Sequence, residues 1–302
     1  MSIIKNRSEL LFIYDVTDSN PNGDPIDENK PRIDEETGIN FVTDVRLKRT
    51  IRDYLSDYKG QDVFIKEIRE ESGNIKTKEA RLADFESNED LLKKCIDVRL
   101  FGATTAVKDK TMTLTGPVQF KYGRSLHRVD LAYIKGTTVM PSKEDRKQGT
   151  FTEKYILPYS LIAFYGIVNE NAAQRQNIEL TDEDVYMLME GIWNGTKNLM
   201  STSKTGQMPR LLLQIIYKED NFHIGELDKR IKFISDKNDE EIRDIRDGKL
   251  DITELIKALN LNKDAISEVR YKVDERAIFT LDNQEVTLEE ALDGFNVNKL
   301  SF

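Results

Sequence analysis

Three consecutive stretches decide how this chain begins: Glu9-Leu-Leu-Phe-Ile-Tyr-Asp-Val16, Asp18-Ser-Asn-Pro-Asn-Gly-Asp-Pro25, and Val42-Thr-Asp-Val-Arg-Leu-Lys-Arg-Thr-Ile-Arg-Asp-Tyr-Leu55. The first is rich in β-forming residues, and the second is a cluster of turn residues through which no strand continues. In the third, Leu47, Ile51, Tyr54 and Leu55 recur at helical spacing behind Thr43 or Asp44, either of which suits an N-cap. A strand, a long ordered turn and a helix therefore open the fold. On a 3.6-residue period Lys48 and Arg52 share a face, with Arg49 beside them, so the helix reads as basic outside. The same pattern fits an ordinary solvated face with Asp53 and Asp57 as local partners.

Working outward, residues 89–95 read as helical, 96–102 as an apolar, strand-like run, and 111–115 as an alternating strand. Residues 116–122 supply a turn and a further strand, and the polar run 140–149 fits the tip of a projecting hairpin or loop. Residues 155–168 read as a buried strand. Thr181, with Asp184 three residues on, opens a helix that runs toward Trp193. A Ser/Thr/Gly loop at 195–206 leads into a strand at 210–217. Beyond it come a short β signal at 231–234, a helix at 252–259, a strand at 267–271 and a short helix at 288–292. There is no internal repeat and no low-complexity linker. Strands separated by helices with long connections fit an α+β fold carrying insertions, taken as one unit over residues 1–302.

Charge is placed rather than diffuse. The 302 residues carry 45 Lys+Arg and 54 Asp+Glu, a net −9, yet residues 99–154 hold eleven bases against five acids, a local +6. Such a block suits a polyanion gripped along its phosphates, since Lys and Arg release condensed counterions on pairing with phosphate. Residues 219–302 hold 21 acids and 13 bases and are expected to face away from nucleic acid, or simply to keep the protein soluble.

Several chemistries find no footing. The single cysteine, Cys95, makes no internal bridge, and two histidines, His127 and His223, do not furnish a zinc cluster, so no metal and no cofactor is expected. The start lacks a secretory pattern and the longest apolar run is too short to span a bilayer; the chain reads as reduced and cytoplasmic, with no membrane partner. Asp18-x-Asn20-x-Asn22-Gly23 begins like a calcium loop, but Pro21 interrupts it and Asn29 stands where a bidentate Glu is needed. Ser201-x-x-Lys204 and Lys204-Thr-Gly206 overlap on one lysine, whereas an acyl-enzyme needs those pieces on separate elements. Asp15, Asp18, Asp24, Asp27 and Asp34 crowd one loop region, which leaves acid chemistry open as the alternative to solvation.

Tyr14-Asp-Val, Asn20-Pro-Asn-Gly-Asp-Pro25, Pro31-Arg-Ile-Asp34, the 42–55 helix, Asp97-Val-Arg-Leu-Phe-Gly102, Thr115-Gly-Pro-Val-Gln-Phe120, Gly123-Arg-Ser-Leu-His-Arg128 and Pro209-Arg-Leu-Leu-Leu213 together resemble the repeated backbone subunit of the type I CRISPR Cascade complex, in its type I-B branch. The resemblance covers about residues 10–218, and 219–302 look like the family's variable end. It implies a modified RNA-recognition-motif (ferredoxin-like) core with inserted finger regions and a projecting thumb. Copies stacked head to tail along CRISPR RNA would present the spacer to target DNA, beside the small backbone-capping, large and RNA-processing subunits.

On that resemblance, Arg46, Lys48, Arg49 and Arg52 would line the phosphate path from the helix, and Lys121, Arg124, His127 and Arg128 would grip it from the other side. Backbone N–H groups near Gly23 and Gly116 would add sequence-neutral contacts. Phe120 or Tyr122 is a candidate for stacking on a base, and Val139, Met140 and Pro141 for an apolar wedge in a thumb at about 129–152. Arg99, in its apolar run, is left as a structural ion pair. Related backbone proteins of type III effectors cut RNA with an aspartate in an early loop, so a metal-dependent endoribonuclease using Asp24 or Asp34 is the alternative to a non-catalytic scaffold.

Overall fold

A computed structural model describes residues 2–107, 110–137, 151–218 and 221–302. Its centre is a ten-stranded sheet. In chain order the strands are β1 (Ser8–Ser19), β2 (Ile33–Asp34), β3 (Ile39–Val42), β4 (Val118–Phe120), β5 (Gly123–Arg128), β6 (Ala132–Thr137), β7 (Phe151–Val168), β8 (Gln207–Tyr217), β9 (Ile266–Val273) and β10 (Val297–Lys299). The spatial order is β10-β9-β8-β1-β7-β5-β3-β2, with β4 and β6 also pairing with β7. β1 lies antiparallel between β7 and β8, with Phe12 opposite Phe164 on one side and Leu212 on the other. It is buried on both faces, which is why its sequence is a continuous apolar run rather than an alternation.

The alternation of the strands separates two cores. Leu10, Phe12, Tyr14 and Phe164 pack with α1 (Asp44–Asp57) and the later helix Asp182–Lys197, whereas Leu11, Ile13, Leu161 and Leu213 pack with Leu227, Leu250, Leu255 and Phe279 of the C-terminal part. That part contributes a second, four-stranded sheet and the helix Thr253–Leu261. The acidic third of the chain is thus one cover of the central sheet.

Helix α1 begins where expected: Thr43 caps it, its hydroxyl oxygen accepting from the Arg46 N–H at 3.4 Å. It packs on Asp182–Lys197 at close range, because a Cβ at Gly191 would stand 3.0 Å from Ile51 and one at Gly195 3.0 Å from Tyr54. The Thr181 cap forms a reciprocal box with Asp184. Residues 96–102 differ from expectation. They form α3 (Ile96–Phe101), following α2 (Asn88–Lys94), and Arg99 pairs with Asp184 at 2.8 Å, so the ion pair stands and the strand does not. In a helix of six residues Asp97 and Arg99 alternate with apolar neighbours, and so short a run is indistinguishable from a strand by period.

β6 pairs with the first residues of β7, from Ala132 opposite Ile156 to Thr137 opposite Phe151. This ribbon leaves Tyr133, Ile134 and Phe151 exposed and runs beyond the packed part of the sheet. β7 therefore starts four residues before the expected 155; an exposed ribbon buries no face and leaves no alternation to read. Val139, Met140 and Pro141 lie outside the described residues, as does the polar run 140–149. No helix among the described residues is long and apolar enough to cross a membrane.

Candidate nucleic-acid interface

The turn-rich loop earns its order through α1. Asn22 Oδ1 accepts from both the backbone N–H and the hydroxyl of Thr43, each at 2.9 Å, so the Asn-Pro-Asn-Gly loop clamps the helix start. Asn20 Nδ2 closes the same loop on the Asn29 carbonyl at 2.6 Å. A third segment, residues 201–205, docks beside it: the Asn20 N–H donates to the Ser203 carbonyl at 2.7 Å, and Lys204 Nζ donates to the Asn20 carbonyl at 3.3 Å. Lys204 and Arg46 stand near enough to feel each other. Partial burial first, and then the Arg46 charge, hold the Lys204 ammonium below its ordinary pKa; Arg46 is lowered by its own burial, with the Arg49 charge adding to it. Neither makes an ion pair among the described residues; the Arg46 guanidinium donates to Thr50 Oγ1 at 2.9 Å. The Asp53 carboxylate acts on Arg46 in the opposite sense but is itself paired with Arg49, and the two partly buried like charges attract an anion.

The rest of the expected basic helix face is committed to the fold. Arg52 is buried and pairs at 2.8 Å with the fully buried Asp97, whose other bonds come from the Phe64 and Ile65 N–H groups at 2.7 and 3.2 Å. Lys48 is also buried, donating to Asp44 at 3.0 Å and Gln119 at 2.9 Å, above the Phe101 ring. Both lie inside, against the expectation of an exposed face, because α3 and β4 cover that side of α1. Arg49 alone points outward, paired with Asp53 at 2.7 Å.

Across β3 the picture reverses. β5 pairs with β3 through Phe41 opposite Arg124 and Val42 opposite Gly123, and its charged side chains stay in solvent. Arg124 and Arg128 are 57% and 62% exposed and Lys121, just before the strand, 47%. Tyr122 is exposed and stacks on Phe41, centroids 6.2 Å apart and planes 6° apart, while Arg124 lies over the other ring at 6.0 Å. Phe120 is buried beneath Gly166, which leaves Tyr122 as the accessible ring. His127 does not join them. Its Nδ1 is 2.7 Å from the Arg128 carbonyl, its Nε2 accepts from the Leu161 N–H at 3.2 Å, and burial lowers its pKa, so the expected backbone grip by this ring is not available. Gly116 is likewise a packing residue: a Cβ there would stand 2.1 Å from the Phe101 backbone. Gly23 is tight too, its Cβ position 2.1 Å from Asn29.

Four of the five crowded aspartates disperse into ion pairs. Asp15 is buried against Arg210 at 2.8 Å, Asp24 pairs with Arg32 at 2.7 Å, Asp27 with Lys30 at 2.7 Å and Asp34 with Arg124 at 3.7 Å. Among the described residues there is no group of three or more His, Cys, Asp or Glu able to hold a metal ion. Two cationic surfaces thus adjoin through β3, the Arg46–Lys204 corner at one end and the Lys121–Arg128 stripe along its side. Lys204 escaped the sequence reading; its signal was a lone lysine in a Ser/Thr/Gly loop.

Comparison with known proteins decides the family. A family model described as CRISPR-associated protein Cas7 matches residues 6–253. A protein named CRISPR-associated protein Cas7 from Haloferax volcanii is 34% identical over 316 residues, covering 94% of this chain and 92% of its own. The chain belongs to the Cas7 family. Membership makes it a non-catalytic, RNA-binding backbone subunit that oligomerises in a CRISPR surveillance complex. The α+β fold of this Cas7-family chain is shared by a chain of a CRISPR RNA-guided surveillance complex, with TM-score 0.54, 15% identity and 89% of each chain covered. A second, from such a complex in a pre-nicking state, gives 0.57 and 14% over 98% of this chain and 96% of that one.

Proposed function

We propose that this protein holds CRISPR RNA by its sugar-phosphate backbone in a type I-B complex, with Arg46, Arg49, Lys204, Lys121, Arg124 and Arg128 along the phosphate path. The observation that carries the reading is the solvent-facing cationic stripe of β5 beside β3, with the half-buried Arg46–Lys204 corner at the end of β3, where phosphate contacts fix position without reading sequence. Tyr122, backed by Phe41, is the ring offered to a base. The central sheet and its two helices act as the RNA-recognition-motif core, and the β6–β7 ribbon supports a thumb that reaches a neighbouring copy. The 302 residues work as one unit in the cytoplasm, with the acidic part covering one face of the sheet. Bases left free between contacts would pair with target DNA, and the capping, large and RNA-processing subunits would meet the ends and flanks of the filament. An endoribonuclease reading is not retained, since Asp24 and Asp34 face arginines.

The test is assembly of the purified protein on several unrelated RNAs of increasing length. Similar affinity for all of them, with bound copies increasing in proportion to length, is expected. Dependence on one base sequence, or a fixed single copy at every length, contradicts the proposal.

A further inference from the structure

The exposed cations of the β5 stripe are not bare. Lys121 Nζ lies 3.3 Å from Asp228 Oδ2, Arg128 Nε 3.5 Å from Glu240 Oε1, and Arg124 3.7 Å from Asp34 Oδ2. The carboxylates come from three separate places: the last residue of β2, the 3-10 helix Leu227–Arg230 and the 3-10 helix Asp239–Glu241. A fourth, Asp239, accepts the Arg128 backbone N–H at 2.8 Å. Asp228 has a further mark: its second oxygen, Oδ1, is buried without a hydrogen-bond partner among the described residues. The acidic C-terminal part therefore does not face away from the basic strand, as its charge suggested, but lays carboxylates along it.

We propose that Asp228 and Glu240, with Asp34, act as intramolecular competitors for the phosphates of the RNA: affinity-setting residues that the guide displaces when it enters the stripe. This rests on the RNA-holding reading above and adds its regulation. A carboxylate and a phosphate oxygen present the same acceptor chemistry to Lys and Arg, so the two compete for the same N–H donors and their like charges repel across each cation. The three cations are exposed and their contacts are 3.3–3.7 Å long, which lets a polyanion exchange for them, yet each exchange costs the entering RNA the pair it breaks. An isolated copy then binds poorly to short stray RNA, and occupancy builds where copies adjoin on a continuous strand.

The experiment measures affinity for a short unstructured RNA by fluorescence anisotropy, with wild type, Asp228→Asn, Glu240→Gln, Arg128→Gln and the Arg128→Gln/Glu240→Gln double variant. Thermal melts accompany each; Glu240 is exposed, so its amide tests the idea even if Asp228→Asn unsettles the fold. Each amide variant should bind about 1.5- to 5-fold tighter, matching the worth of an exposed ion pair. The gain from Glu240→Gln should vanish in the Arg128→Gln background, which separates local competition from a general loss of negative charge. Unchanged or weaker binding by Glu240→Gln, or the same gain with and without Arg128, overturns this inference and leaves the RNA-holding reading intact. Absence of RNA binding by the wild type overturns both.

Discussion

Helix α1 and strand β5 carry comparable basic charge, flank the same short strand, and use that charge in opposite ways. On α1, Lys48 and Arg52 turn inward to Asp44, Gln119 and Asp97, and the guanidinium of Arg52 lies over the Phe101 ring at 5.1 Å. On β5, Arg124 and Arg128 stand in solvent with weakly held partners at 3.5 Å or more. The difference is what covers each element. α1 is roofed by α3 and β4, so a cation there needs a buried partner, whereas Arg124 and Arg128 stay exposed beside carboxylates at the end of β2 and in a short 3-10 helix. Positive charge in a sequence marks a ligand surface only where no second element closes over it.

The comparison breaks most visibly at Arg52. Replacing it with Met leaves Asp97 buried and uncompensated, and urea unfolding should report a loss of about 3–5 kcal/mol. A loss below about 0.5 kcal/mol, the range for surface positions, would mean that α1 is not the structural member of the pair. A smaller effect, confined to binding, is expected at Tyr122. Its ring is exposed and supported by Phe41, so Tyr122→Ala should weaken single-stranded RNA binding by about 1–3 kcal/mol if one base stacks there. Equal affinity of Tyr122→Ala and wild type, measured beside an unchanged melting curve, would remove the ring from the RNA path and leave the charges alone.

How much of this was legible follows from the range of each interaction. Thr43, the apolar spacing behind it and the Asn-rich turn identify the opening of the fold because caps and periodicity are local. The orientation of Arg52 is not local: its partner Asp97 lies 45 residues away, on a helix in which apolar and charged residues alternate and read as strand. His127 stands in the candidate site on the resemblance of Gly123–Arg128, but the alternation of the strand puts it on the buried side with Gly123 and Ser125, its ring stacked on Tyr159 with 5.7 Å between centroids. Lys204 was visible only as a fragment of a failed catalytic motif. Its meaning came from contact with Asn20 and from the charge of Arg46, across more than 150 residues of chain. The basic stripe itself was legible, while its acidic partners from residues 228 and 240 were not.

The claim that the β5 stripe contacts RNA phosphates is tested most directly by the salt dependence of RNA affinity in wild type and in a Lys121→Gln/Arg124→Gln/Arg128→Gln variant. Three lost phosphate contacts should reduce the slope of log affinity against log salt by about 2, equally for RNAs of unrelated sequence, with melting unchanged. A slope that stays at the wild-type value in a folded triple variant would contradict the account and return the stripe to the role of ordinary solvated surface.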